Sequence, residues 1–311
     1  IFSYNNSWHG VSYSLSYSMN KNTQDSDEDG NEVTNDNQFS LSVSVPLDRW
    51  MHNTWATYNL NNTKDGTTQN IGLNGTALKE DNLNWNIQEG LSSTGSGNST
   101  SVNADYKATY GEVSAGVSQD KYQQTVNVGL QGGVVAHANG ITLSQPLGDT
   151  IALVKAPGTH GTHITNQTGV ETDFRGYTVV PFVTAYRHNT IALDTETLPD
   201  DADVTHAAQV VTPTRGAVVR ASFNTRVGNR VLMTLTHNGK PLPFGATVTT
   251  EDKDSEFIVG SDGQTYLSGL PARGKLSVAW GDNASEQCIA QYALAEERDK
   301  SGIITAAAPC Q

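Results

Sequence analysis

Three sets of residues in this 311-residue chain have types and spacings suited to chemistry. The first is Asp25-Ser26-Asp27-Glu28-Asp29-Gly30-Asn31. Asp25, Asp27, Asp29 and Asn31 offer oxygens at alternate positions and Gly30 stands sixth, as in the first half of a calcium loop. Asp36 occupies the twelfth position, where a bidentate Glu is the usual ligand, and no helical pattern flanks the run. A solvated acidic surface loop is the rival reading, and any Ca²⁺ held here would be held with the weak affinity of extracellular modules. The second set is His160-Gly161-Thr162-His163, two imidazoles at close spacing. With no cysteine or carboxylate assigned to them and glycine around them, they read as solvated loop histidines. The third is the pair Cys288 and Cys310, the chain's two cysteines. Their place in the last 24 residues reads as a local staple made in an oxidising compartment such as the periplasm; buried free thiols are the alternative. The many serines lack the strained elbow or the matched His and Asp that a nucleophile needs. No phosphate-cradling Gly-rich loop with Lys occurs. No catalytic set and no cofactor are expected.

The elements that carry these residues are strands. Val11, Tyr13, Leu15 and Tyr17 interleave with Ser12, Ser14, Ser16 and Ser18. The same alternation runs through Phe39 to Val45 and Val102 to Tyr110. A strand points successive side chains to opposite faces, so each segment has one greasy and one wet face. Strands are expected near residues 2–8, 11–20, 37–45, 54–61, 68–77, 82–91, 98–109, 111–119 and 123–137. Short polar turns such as Lys64-Asp65-Gly66 join most of them. Asn20 to Asn37 is hydrophilic and is expected to be a long extracellular loop. Repeated short alternating segments favour an outer-membrane barrel arc, greasy face to lipid, over a sandwich. No apolar run approaches the roughly 20 residues of a membrane-spanning helix. Trp50, Trp55, Tyr58, Trp85 and Tyr110 fit an interfacial aromatic girdle, although aromatics also occur in strands by chance.

After Gly140 the composition shifts to prolines, charges and the turn spacing of soluble β-sandwiches. One set of strands is expected over residues 150–226 and a second small unit from about 229. Each is small enough that its core is marginal, which makes a disulfide in the last one physically useful. The formal charge is −13, with 14 acids against 6 bases in residues 1–143 and 18 against 13 in the rest. That balance disfavours nucleic acid, whose phosphates need concentrated Lys and Arg. The chain opens at Ile1 without an initiator Met or a signal core, and is expected to be the C-terminal piece of a longer exported protein.

At the boundary the residues become specific. Gly132-Gly133-Val134-Val135-Ala136-His137-Ala138-Asn139-Gly140-Ile141-Thr142-Leu143 is followed by Gln145-Pro146 and Val154-Lys155-Ala156-Pro157-Gly158. Asp173-Phe174-Arg175-Gly176-Tyr177, Pro213-Thr214-Arg215-Gly216-Ala217, Pro241-Leu242-Pro243-Phe244-Gly245-Ala246 and Gly263-Gln264-Thr265-Tyr266-Leu267-Ser268-Gly269 continue the pattern. This series resembles the fimbrial outer-membrane ushers of the chaperone–usher pathway, most of all those of type 1 fimbriae. The resemblance implies an all-β chain: the C-terminal arc of a large transmembrane antiparallel β-barrel over residues 1–143, then two small periplasmic β-sandwich domains over 144–228 and 229–311. It implies a pore and assembly platform, not an enzyme, whose partners are periplasmic chaperone–pilus subunit complexes, subunits in the pore and outer-membrane lipid. Subunits would be joined by donor-strand exchange, a form of β-strand addition. Phe174, Arg175, Tyr177, Phe244 and Tyr266 are candidate anchors for the chaperone–subunit complex, because aromatics and Arg dominate interface energetics; core or turn roles stand beside that reading. Rival assignments are another outer-membrane channel, which would end in its last barrel strand, and a soluble adhesin of three sandwiches. A β-sandwich glycosidase needs two carboxylates across a cleft, whereas the acids here cluster in turns.

Overall fold

The computed structural model describes residues 1–24, 32–95, 97–252 and 255–311. It contains two compact units, Ile1–Gly133 and Val134–Gln311.

The first unit is one antiparallel sheet of nine strands, each hydrogen-bonded to its neighbour in sequence. They are β1 (Phe2–Trp8), β2 (Val11–Gln24), β3 (Glu32–Pro46), β4 (Thr54–Thr63), β5 (Gly66–Ala77), β6 (Leu83–Ser92), β7 (Asn98–Ala108), β8 (Gly111–Gln119) and β9 (Gln124–Gln131). Register puts like with like. Leu15 pairs with Leu41 and Leu41 with Leu60 on one face, while Ser42 pairs with Ser14 and Asn59 on the other. The apolar face is bare: Val128 is 78% exposed and Leu130 80%. Every buried apolar cluster among the described residues is built from positions after Gly133. A sandwich would bury these rows against a second sheet, so the soluble three-sandwich reading fails here. The cross-strand row from Tyr13 passes Val43, Tyr58 and Ile71, then leaves the apolar belt at Glu89, Thr100, Gln119 and Gln124. The belt therefore runs obliquely to the hydrogen-bond rows, as it must where strands tilt through a bilayer.

Four expectations change in this sheet. The loop expected from Asn20 to Asn37 is largely strand, with Asn20 opposite Asp36 and Gln24 opposite Glu32. Past Met19 the β2 residues are polar at every position, so no alternation marks the pairing although the backbone ladder continues. Of the calcium-loop candidates, Asp25, Asp27, Asp29 and Asn31 lie outside the described residues. Asp36 sits inside β3, so residues 32–36 of that twelve-residue motif are strand. The segment expected at 123–137 is broken into β9 and a further strand at Gly132. Finally, Trp55 shares a face with Asn74 and Thr57 rather than with the apolar row of Ala56 and Tyr58, and so does not belong to a lipid-facing girdle.

The second unit begins with the hairpin β10 (Gly133–His137) and β11 (Gly140–Ser144), followed by β12 (Ile151–Lys155), β13 (Tyr177–Val180), β14 (Asn189–Ala192), β15 (Ala202–Val204), β16 (Ala208–Val211), β17 (Val218–Ser222) and β18 (Thr225–Val227). β12 lies between β13 and β17, antiparallel to the first and parallel to the second. Its sequence IALVK is apolar without alternation because both faces are covered. Ala152 and Val154 enter a core with Ile164, Ile191 and Phe223, while Ile151 and Leu153 pack with Val135 of the hairpin, Tyr177 and Val179. The hairpin thus belongs to the first sandwich, and the division falls at Gly133 instead of the expected 143.

The second sandwich comprises β19 (Asn229–His237), β20 (Lys240–Pro241), β21 (Thr247–Thr250), β22 (Glu256–Ile258), β23 (Gln264–Leu270), β24 (Arg273–Ala279), β25 (Gln287–Ala293) and β26 (Ile303–Cys310). Val231, Met233 and Leu235 alternate inward from β19, and Cys288, Ala290 and Tyr292 from β25. β26 runs parallel to β19 and antiparallel to β25. Cys288 and Cys310 form a disulfide across β25 and β26, Cα atoms 5.5 Å apart, as expected.

Candidate functional site

The wet face of the nine-stranded sheet is a wall of hydrogen-bonding side chains. Ser40 and Ser42 donate to the Asn61 and Asn59 side-chain oxygens at 2.9 and 2.6 Å. Asn103 donates to Asn86 at 2.9 Å. Charge appears near one end, where Lys107 and Glu112 face each other at 3.9 Å. Such amides and hydroxyls exchange their bonds with water readily, so the wall is wettable without being adhesive.

The residues singled out in the sequence are not gathered into one site. Arg175 is a brace. Its guanidinium donates to the Asn139 carbonyl at 3.1 Å and the Ile141 carbonyl at 2.5 Å, and to the carboxylate of buried Asp173 at 3.1 Å. Asp173 in turn accepts the backbone N–H of Arg175 at 2.8 Å and of Tyr177 at 2.9 Å. Tyr177 is buried, stacked on His137 at 4.9 Å, and so cannot be a surface anchor; the candidate role is corrected to a core one. Gly176 follows with φ +81° against the Ala156 carbonyl, a position only glycine fills without strain. Together these groups lock the β10–β11 hairpin onto the first sandwich. Arg175→Ala is expected to destabilise that hairpin by roughly 2 kcal/mol, since charged hydrogen bonds are lost and a buried carboxylate loses its counter-ion. Faster amide exchange confined to residues 133–144 is the measurement.

Phe174 and Phe244 are exposed by 78% and 80% and remain available as anchors. Tyr266 lies at the seam of the two sandwiches, its hydroxyl 3.4 Å from an Asp203 carboxylate oxygen; burial, then Asp203, pushes its phenol pKa up. His163 departs from the solvated-loop expectation: it is buried, with Nε2 3.2 Å from Glu171. Among the described residues no cluster of three or more His, Cys, Asp or Glu could hold a metal.

Sequence reasoning missed the seam itself. Arg230 donates to the Asp200 carbonyl at 3.1 Å and the Ser301 carbonyl at 2.7 Å, and Arg298 donates to Asn229 at 2.7 Å. Asp200 carries no local signal, because its partners lie 30 and 98 residues further on. Nearby, Tyr292 is pushed up to about 12 by burial, then by Glu251 and Asp252. The native state therefore keeps the phenolic proton after the unfolded chain has lost it. Its contribution is intact below pH 10 and is lost as pH rises towards 12. Tyr292→Phe should remove that part of the alkaline fall in denaturation midpoint.

Comparison with known proteins fits this architecture. Residues 1–223 match the family described as Outer membrane usher protein, and residues 232–296 match the PapC C-terminal domain. The chain belongs to the outer membrane usher family. The usher LpfC of Salmonella typhimurium is 48% identical over 89% of this chain and 33% of its own length. The usher FimD of Escherichia coli is 44% identical over 89% of this chain and 33% of its own length. The chain thus spans about a third of these ushers. A solved structure of E. coli PapC with PapD, PapK and PapG, a P pilus tip assembly intermediate, covers 99% of this chain and 41% of its own, with TM-score 0.55 and 23% identity. The usher assignment makes the nine-stranded sheet an arc of an outer-membrane barrel, followed by two β-sandwiches. It places the chain in the outer membrane and outside the enzymes.

Proposed function

We propose that this chain supplies part of the pore wall and both C-terminal modules of an usher. That usher receives periplasmic chaperone–subunit complexes, passes folded pilus subunits across the outer membrane and polymerises them by donor-strand exchange. The observation that carries the reading is the nine-stranded sheet with one bare apolar face and one hydrogen-bonding face, in a chain of the usher family. The apolar face suits acyl chains and the wet face suits a water-filled lumen. A barrel wide enough for a folded subunit needs many strands, since diameter grows with strand number; nine make an arc of one. With no nucleotide motif in this sequence, the driving force is assigned to the subunits. An incoming strand replaces the chaperone's strand and gains main-chain hydrogen bonds and pocket contacts. Solved PapC is accompanied by PapD, PapK and PapG, which supports modules that hold such complexes on the periplasmic side.

The test compares the full-length usher with one truncated after Gly133. The truncated protein should keep heat-modifiable mobility in detergent, the mark of a folded barrel, yet lose stable capture of a chaperone–subunit complex and surface pili. Undiminished capture and pili without residues 134–311 would overturn the role given to the modules.

A further inference from the structure

Three cations of the second unit are spent on internal partners. Arg175 meets Asp173, Arg230 meets Asp200, and Arg298 is bonded to Asn229 and backbone carbonyls. Lys155, Arg220 and Arg226 differ: none has an ion-pair partner among the described residues. All three line a single groove of about 740 Å³ beside β17 and β18, together with Ser222, Phe223 and Thr225, and no described Asp or Glu lines it.

Register explains the convergence. On the parallel pair β12–β17, Lys155 is opposite Ser222 and Leu153 opposite Arg220, so the two cations are diagonal neighbours on one face. Arg226 comes from β18, held with its guanidinium 4.9 Å over the Phe257 ring. Asp203 stands opposite it on β15, but that carboxylate accepts the Val204 N–H at 2.9 Å and the Tyr266 hydroxyl at 3.4 Å. Glu251 and Asp252 line the adjoining cavity, beside Lys275 and Tyr292, and Arg226 borders both. Three cations in one concavity of a chain with net charge −13 make a focused positive field, and clefts lined by one sign concentrate and steer ligands of the other.

We propose that this groove is the docking site for an acidic, protruding segment of the incoming chaperone–subunit complex. The inference rests on the function proposed above and names a surface for it. Concavity favours a protein segment over a bilayer, because a planar headgroup layer cannot enter a groove. The cations would act mainly on encounter rate and register, the usual gain from electrostatic complementarity.

The experiment uses the full-length usher in detergent and its double charge reversal Lys155→Glu/Arg220→Glu, with the neutral Lys155→Gln/Arg220→Gln as a milder second variant. Heat-modifiable mobility and circular dichroism establish folding. Capture of a purified chaperone–subunit complex is measured at low and high salt. The parent should lose on the order of tenfold in association rate between 50 and 300 mM salt, as exposed charges are screened. Charge reversal should lose about as much at low salt and flatten the salt dependence, with the Gln variant between. Parent-like capture and salt slope in both variants would overturn the proposal. So would a loss confined to binding of phosphatidylglycerol vesicles, which would make the groove a lipid contact. If the parent itself captures no complex, the proposed function fails instead. The groove is then judged with a deca-glutamate peptide, whose equal binding to parent and charge-reversed protein overturns it independently.

Discussion

Leu41→Arg is expected to destabilise the barrel in the membrane by several times as much as the adjacent Ser42→Arg. Leu41 lies between Leu15 and Leu60 on the apolar face, near the middle of its belt on β3. An Arg facing lipid there must be desolvated or drag water and headgroups inward, at a cost of about 2–4 kcal/mol at the bilayer midplane. Ser42 points the opposite way, where its hydroxyl bonds Asn59 at 2.6 Å. An Arg at that position trades one exposed hydrogen bond for water and costs on the order of 1 kcal/mol or less. The measurement is urea titration of the full-length usher in lipid vesicles, followed by heat-modifiable mobility. Because the two residues are neighbours on one strand, a shared loss of stability would mean that strand propensity, and not lipid contact, governs this sheet. Equal tolerance of both would mean that the apolar face is not in lipid.

How much of this was legible in the sequence depended on whether a strand had two different faces. β1, β4, β5, β7 and β8 lie within two residues of the expected bounds because one face meets lipid and the other water, so the residue types alternate. Where the two faces have the same surroundings, the signal vanishes. The outer part of the β2–β3 hairpin is polar at every position from Asn20 to Gln24, and reads as loop. β26 gives no strand signal for a related reason. Its sequence IITAAAPC carries three alanines, favourable in helices, and its strand state is imposed by eight residues of parallel pairing with β19. β25 gives little signal either, since Ala290 is too small to mark the period that Cys288 and Tyr292 share.

The candidate anchors separate along the same line. Residue type alone ranks Phe174, Arg175 and Tyr177 together, because aromatics and Arg carry interfaces and cores alike. What distinguishes them is the β10–β11 hairpin, which covers Tyr177 and recruits Arg175 while leaving Phe174 in water. A sequence cue was present in Asp173, whose side chain accepts the N–H two residues on, the habit of an Asx turn. Arg230 had no such cue, since its partners lie 30 and 71 residues away in the chain. The basic groove is of the same kind: Lys155, Arg220 and Arg226 become neighbours only when β17 docks parallel to β12.

Replacing both cysteines, Cys288→Ala with Cys310→Ala, is expected to destabilise the second sandwich by about 3 kcal/mol, the chain-entropy value for a loop of this size. The two residues are separated by 22 positions. The bond ties the end of β26 to β25, next to the backbone bonds between Ile289 and Gln311. A module of this size has a marginal core, and β26 is also a central strand, pairing with β19 on its other side. Without the bond the unfolded ensemble gains freedom and β26 can fray from its C-terminal end. Loss of β26 would strip the core of Ile304 and Ala308 and expose Val231, Met233 and Leu235. The damage should therefore stay in residues 229–311: faster proteolysis there and a lower denaturation midpoint, with β1–β9 keeping heat-modifiable mobility. Reduction of the parent protein with dithiothreitol should reproduce the effect. A variant as resistant to protease as the parent would show that parallel pairing with β19 holds the strand unaided.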